Sequence, residues 1–173
     1  MFTRRFIAPV AVCTVLFVLG FAPLSAQDKR GPSTPEERQQ ALDYIHHFQS
    51  DPLNPSLKSE TQWVTMWAIE VPDIHVNLCF LVDLPKGDKK HSQTLFTAMM
   101  LAQTGFGIEH RDGQADVNAE YLAGLDALLS AYEKVVAANA KDRQPALDDL
   151  LERRKAGTLA DFVKTQAPTR CKK

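Results

Sequence analysis

Between residues 116 and 140, apolar side chains recur at steps of three and four: Tyr121, Leu122, Leu125, Leu128, Leu129, Tyr132, Val135 and Val136. That spacing lines one face of an α-helix, because residues three and four apart lie one above the other. The run predicts a long amphipathic helix whose stripe needs a partner surface to cover it. No other stretch constrains the fold as strongly.

The neighbouring segments repeat the signal. Thr34-Pro35-Glu36-Glu37 reads as a helix start, with Thr34 as cap, Pro35 at the first helical position and Glu37 closing a capping box. Ala41, Tyr44, Ile45 and Phe48 mark the buried face, and Asp51-Pro52 ends the helix. Asn54-Pro55 opens a second helix with Trp63, Val64, Trp67, Ala68 and Val71 on one side. Residues 92–108 are the most apolar part of the chain after its first 26 residues and predict a central buried helix. Pro145 starts another, carrying Leu147, Leu150 and Leu151 and stopping at Gly157; Thr158 then caps a short last helix that ends at Pro168.

Residues 71–84, VPDIHVNLCFLVDL, are ambiguous. Ile74, Val76, Leu78, Phe80, Val82 and Leu84 alternate as a strand would. No other segment alternates, so such a strand would have no partner within the chain. A buried helix from Pro72-Asp73, with Ile74, Leu78, Leu81 and Val82 on one face, is the preferred reading; the strand reading requires a second chain at its edge. Altogether the chain predicts an all-α fold of about six to seven helices, as a bundle or a short array of helical hairpins.

The first 26 residues read as a secretory signal peptide: Arg4 and Arg5, an apolar run from Phe6 to Leu24, and a small-residue exit at Ala26. Val12 precedes Cys13, which argues against lipid attachment there. Residues 27–33 predict a flexible lead-in, and 34–173 a single helical domain. Export places the protein in the periplasm or outside the cell, with no membrane span once the signal is cleaved. In that oxidising setting Cys79 and Cys171 form a disulfide candidate. The alternative is a buried Cys79 and a free thiol at Cys171.

Removing Arg4 and Arg5 from 20 basic residues leaves 18 against 21 acidic ones, a net charge of −3. That balance gives no electrostatic case for nucleic acid. The basic cluster Lys86, Lys89, Lys90 and His91 falls in a polar loop. There is no phosphate loop, dinucleotide fingerprint, serine elbow, zinc-protease helix or pair of CxxC motifs, and no cofactor is implied. His46 and His47 are adjacent on a helix and point about 100° apart, so they cannot chelate one ion together. His75, Glu109 and His110 stand near other acids (Asp73, Asp112) and are the candidates for an acid–base or metal site. Trp63 and Trp67, one helical turn apart, suit either a recognition surface or a core face.

Residues 128–141, LLSAYEKVVAANAK, resemble the second helix of a tetratricopeptide repeat, without an adjoining 34-residue copy. The succession WAIEVPDIHVNLC, YLAGLDALLSAYE and LDDLLERRKAGTLADFV resembles a family of exported bacterial helical proteins with no assigned activity. The resemblance implies export, helices and the cysteine pair, and no mechanism. The expectation is a non-enzymatic exported protein acting through contacts with a protein partner. A small-ligand or metal-dependent envelope enzyme, and an envelope chaperone or inhibitor, are the alternatives.

Overall fold

A computed structural model describes residues 30–87, 89–111 and 116–171. The expected signal peptide, Cys13 and Asp112 lie outside these residues. Among the described residues six α-helices pack against one another: α1 (Pro35–Ser50), α2 (Lys58–Glu70), α3 (Ser92–Glu109), α4 (Val117–Ala138), α5 (Pro145–Lys155) and α6 (Leu159–Arg170). No strand occurs among the described residues. The fold is all-α, and no described helix is long and apolar enough to cross a membrane.

Helix α1 begins as its sequence dictates. The Glu37 N–H donates to Thr34 Oγ1 at 3.2 Å, and the Thr34 N–H donates to Glu37 Oε2 at 3.0 Å. That backbone hydrogen bond from Thr34, aided by Arg30, holds the Glu37 carboxyl below its ordinary value. At the far end, Lys134 of α4 donates to the carbonyls of Gln49 and Ser50, placing a cation at the negative end of the helix dipole. The described end of the lead-in, residues 30–33, makes contacts with the helical domain. Ser33 is buried and donates from N and Oγ to Asp73 at 2.7 and 2.8 Å, and Arg30 pairs with Glu37 and Glu70.

Helices α3 and α4 form the centre. The stripe read from the sequence is buried on α4 at Tyr121, Leu125, Leu128, Leu129, Tyr132 and Val135. Tyr132 also joins α4 to α5: its hydroxyl accepts from the Gln144 N–H at 2.6 Å and donates to Asp148 Oδ1 at 3.0 Å. Helix α5 stops two residues before Gly157, whose φ of +72° lets the Thr158 and Gly157 N–H groups bond back to the Arg153 and Arg154 carbonyls. Two boundaries differ from expectation. Thr158 makes no cap and instead donates its hydroxyl to the Arg153 carbonyl, and α6 runs past Pro168 to Arg170. Pro168 sits in the last turn, where the missing N–H interrupts a ladder that is already ending.

The helix predicted for residues 71–84 does not form. Residues 71–84 are neither helix nor strand. Ile74, Cys79, Leu81 and Val82 are buried, whereas Leu78 and Phe80 are each 52% exposed. A buried irregular segment must satisfy its backbone polar groups some other way. Here the Asn77 N–H donates to Glu120 Oε1 at 2.6 Å, and Gln103 Nε2 donates to the Asn77 carbonyl at 3.3 Å. Close approach is possible because α3 carries Gly107: a Cβ there would stand 2.8 Å from the His75 carbonyl oxygen. Cys79 and Cys171 are joined by a disulfide with Cα atoms 5.3 Å apart, which pins this segment to the end of α6.

Candidate functional site

Two surfaces concentrate the side chains of interest. The first is a small polar cleft of about 210 Å³, where the 73–77 segment meets the end of α3 and the start of α4. His75 and His110 both line it. The His110 ring stacks on Phe106 with centroids 4.0 Å apart, and its Nδ1 lies 2.9 Å from the Phe106 carbonyl oxygen. A carbonyl only accepts, so Nδ1 carries the proton in this contact. Arg111 approaches Asp73 at 3.7 Å. Burial alone would raise the Asp73 carboxyl, but the donors from Ser33 outweigh it and hold that carboxyl below its ordinary value.

Glu120 is the residue that sequence reasoning missed. It is 5% exposed and its two oxygens accept from Asn77 N and Nδ2 at 2.6 and 2.7 Å. A signal existed: Glu120 lies one turn before Gly124 and two before Leu128, on the buried line of α4. Glu109, grouped with His110 in the sequence, turns the other way, into a groove between α1, α3 and α4 floored by Ala98, Ala102, Gly105 and Ala127. Among the described residues no Ser, Thr or Cys lines the polar cleft. Among the described residues no three His, Cys, Asp or Glu side chains gather as metal ligands. With Asp73 and Glu120 committed to Ser33 and Asn77, the cleft offers two imidazoles and a guanidinium.

The second surface surrounds Phe80. Its ring stacks on Phe96 of α3, centroids 5.4 Å apart and planes 12° from parallel. Between residues 80–87 and the first turn of α3 runs a groove of about 560 Å³, with Val82 and Ser92 buried in its base and Leu84, Pro85 and Lys86 along its side. Arg170 binds Asp83 at 3.0 and 3.4 Å and reaches the Phe80 carbonyl at 3.5 Å. These hydrogen bonds, and then the guanidinium charge, hold the Asp83 carboxyl below its ordinary value. Ser92 Oγ donates to the Gly87 carbonyl and closes the loop end.

The tryptophans occupy different environments. Trp67 is 2% exposed and belongs to the core; Trp63 is partly covered, stacks on Trp67 at 5.8 Å and meets the edge of Tyr44 at 5.6 Å. Comparison with family models, with curated proteins and with solved structures finds no match.

Proposed function

We propose that this chain is an exported, non-enzymatic helical protein that works through protein–protein contacts, and that the surface around Phe80 makes them. One observation carries the reading. Leu78 and Phe80 stand half exposed on a segment that the Cys79–Cys171 disulfide and the Arg170–Asp83 pair fasten on one side. Large apolar side chains held rigidly at the surface are the usual anchors of an interface, because little entropy is lost when a partner covers them. The disulfide and the apolar leader sequence support export.

The test is cross-linking of the tagged protein in its native envelope, with Phe80→Ser alongside. A stoichiometric protein partner captured by the parent and lost with Phe80→Ser is expected. A partner captured equally by both would refute this surface, and a clean monomer in both would refute the contact reading.

A second reading rests on the convergence of His75 and His110: a small polar ligand or a divalent ion in the polar cleft. A thermal-shift screen with divalent metals addresses it. No shift, or a shift that survives His110→Ala, would count against it.

A further inference from the structure

We infer that the groove beside Phe80 receives an acidic, apolar peptide segment of the partner, with Leu- or Phe-type side chains in the groove and Asp or Glu meeting Lys86 and Lys89. This rests on the contact reading above and adds the chemistry of the partner. The groove is concave, and its volume of about 560 Å³ falls in the range of sites that enclose a few side chains or a small ligand. A flat bilayer surface would leave it unfilled. Phe80, Leu84 and Phe96 give it apolar walls.

The charge around the groove is uneven. Arg170 neutralises Asp83, Lys90 is turned away to donate to the Arg143 carbonyl at 2.5 Å, and His91 lies 3.8 Å from Asp142. Lys86 on the groove wall and Lys89 on the adjoining turn are exposed and have no ion pair among the described residues. Asp88, between them in sequence, lies outside those residues. Residues 27–173 carry 18 basic against 21 acidic side chains, so the positive rim is a local feature of an acidic chain. An acidic segment is attracted to these lysines, which favours this site and speeds encounter at low salt. The disulfide and the Ser92–Gly87 hydrogen bond hold both walls, so a segment docks without ordering the groove first.

The test is selection of a displayed random dodecapeptide library on the disulfide-bonded protein, read by sequencing. Three variants run in parallel: Phe80→Ser, the double change Lys86→Glu/Lys89→Glu, and Ile69→Ser as a control at an exposed apolar residue of α2. The lysine pair is solvent-exposed, so that variant keeps the test valid even if Phe80→Ser unfolds; circular dichroism checks all three. Expected is enrichment of peptides combining Asp or Glu with Leu or Phe. The best of them should lose about tenfold in affinity with Phe80→Ser, as for an interface anchor. The lysine variant should lose about fivefold at low salt, and the loss should shrink in about 0.5 M NaCl. Ile69→Ser should change nothing.

Peptides that depend on Phe80 but carry no net negative charge would overturn the acidic assignment and leave the contact reading standing. No enrichment, or enrichment equal on the parent and Phe80→Ser, would overturn the inference. So would binding to phosphatidylglycerol vesicles without peptide enrichment, which would make the groove a lipid site.

Discussion

Replacing Glu120 by alanine removes the acceptor for two Asn77 donors and leaves both donors in place. Glu120 is 5% exposed, so water cannot freely take over. Hydrogen bonds to a carboxylate contribute about 1.5–3 kcal/mol each, and a buried donor left without a partner costs about 1–3 kcal/mol. Asn77 N and Nδ2 donate at 2.6 and 2.7 Å. Allowing for partial relaxation of the 74–80 segment, the substitution should cost about 3–5 kcal/mol, a large share of the 5–15 kcal/mol typical of a folded domain. Glu120→Gln should cost less, about 2 kcal/mol, because its carbonyl still serves one donor while its amide opposes the other.

The assay is urea unfolding at pH 7, with the midpoint compared at constant m-value. Limited proteolysis adds a local readout, since cleavage within 74–84 should appear before global unfolding. The substitution also leaves Gln103 Nε2 on the Asn77 carbonyl, so the segment should loosen from the α4 side first. A cost below about 1 kcal/mol for Glu120→Ala, or equal costs for Ala and Gln, would refute the claim that Glu120 secures this segment.

Three further outcomes follow from the same geometry. Cys171→Ser, or reduction, should lower the melting temperature, with an upper bound of about 4–5 kcal/mol from closing a loop of 92 residues; thiol alkylation that labels both cysteines before reduction would contradict the bond. Gly107→Ala should destabilise by about 1–3 kcal/mol despite alanine's better helix propensity, since its Cβ would stand 2.8 Å from the His75 oxygen; urea midpoints at or above the parent's would contradict the close approach. The depressed Asp73 carboxyl stabilises the fold above its unfolded pKa of about 3.9, and that contribution is lost as pH falls through the lower folded value. Acid unfolding below about pH 4 should therefore be shallower in Asp73→Asn, and an unchanged acid limb would remove Asp73 from the account.

How legible these features were depended on how far apart in the chain the interacting groups lie. The α1 cap joins residues three apart, and the α4 stripe repeats every three or four, so both could be read locally. The disulfide was readable despite its 92-residue span because only two cysteines follow the apolar run at residues 6–24. The 71–84 segment was not, because its conformation is set by Gln103, Gly107 and Glu120, which lie 26 to 43 positions from the residues they support. Its even-numbered apolar residues do not share a face: Ile74 and Val82 are buried while Leu78 and Phe80 are half exposed, so the alternation marks a chain passing between core and solvent.

The two histidines show the same limit from the other direction. Adjacent helical residues diverge by about 100°, the rule that separates His46 from His47. Applied to Glu109 and His110, at the end of α3, it separates them too: Glu109 faces the α1–α4 groove and His110 the polar cleft. The carboxylates that His110 does share a cleft with are Asp73 and Glu120, whose oxygens already accept from Ser33 and Asn77. Glu120 is therefore engaged in holding the segment that carries Phe80. A substitution at Glu120 should then weaken contacts at the Phe80 surface without touching it, whereas His110→Ala should leave them unchanged. Partner capture that survives Glu120→Gln intact, in protein shown to be folded, would mean that the two surfaces are independent.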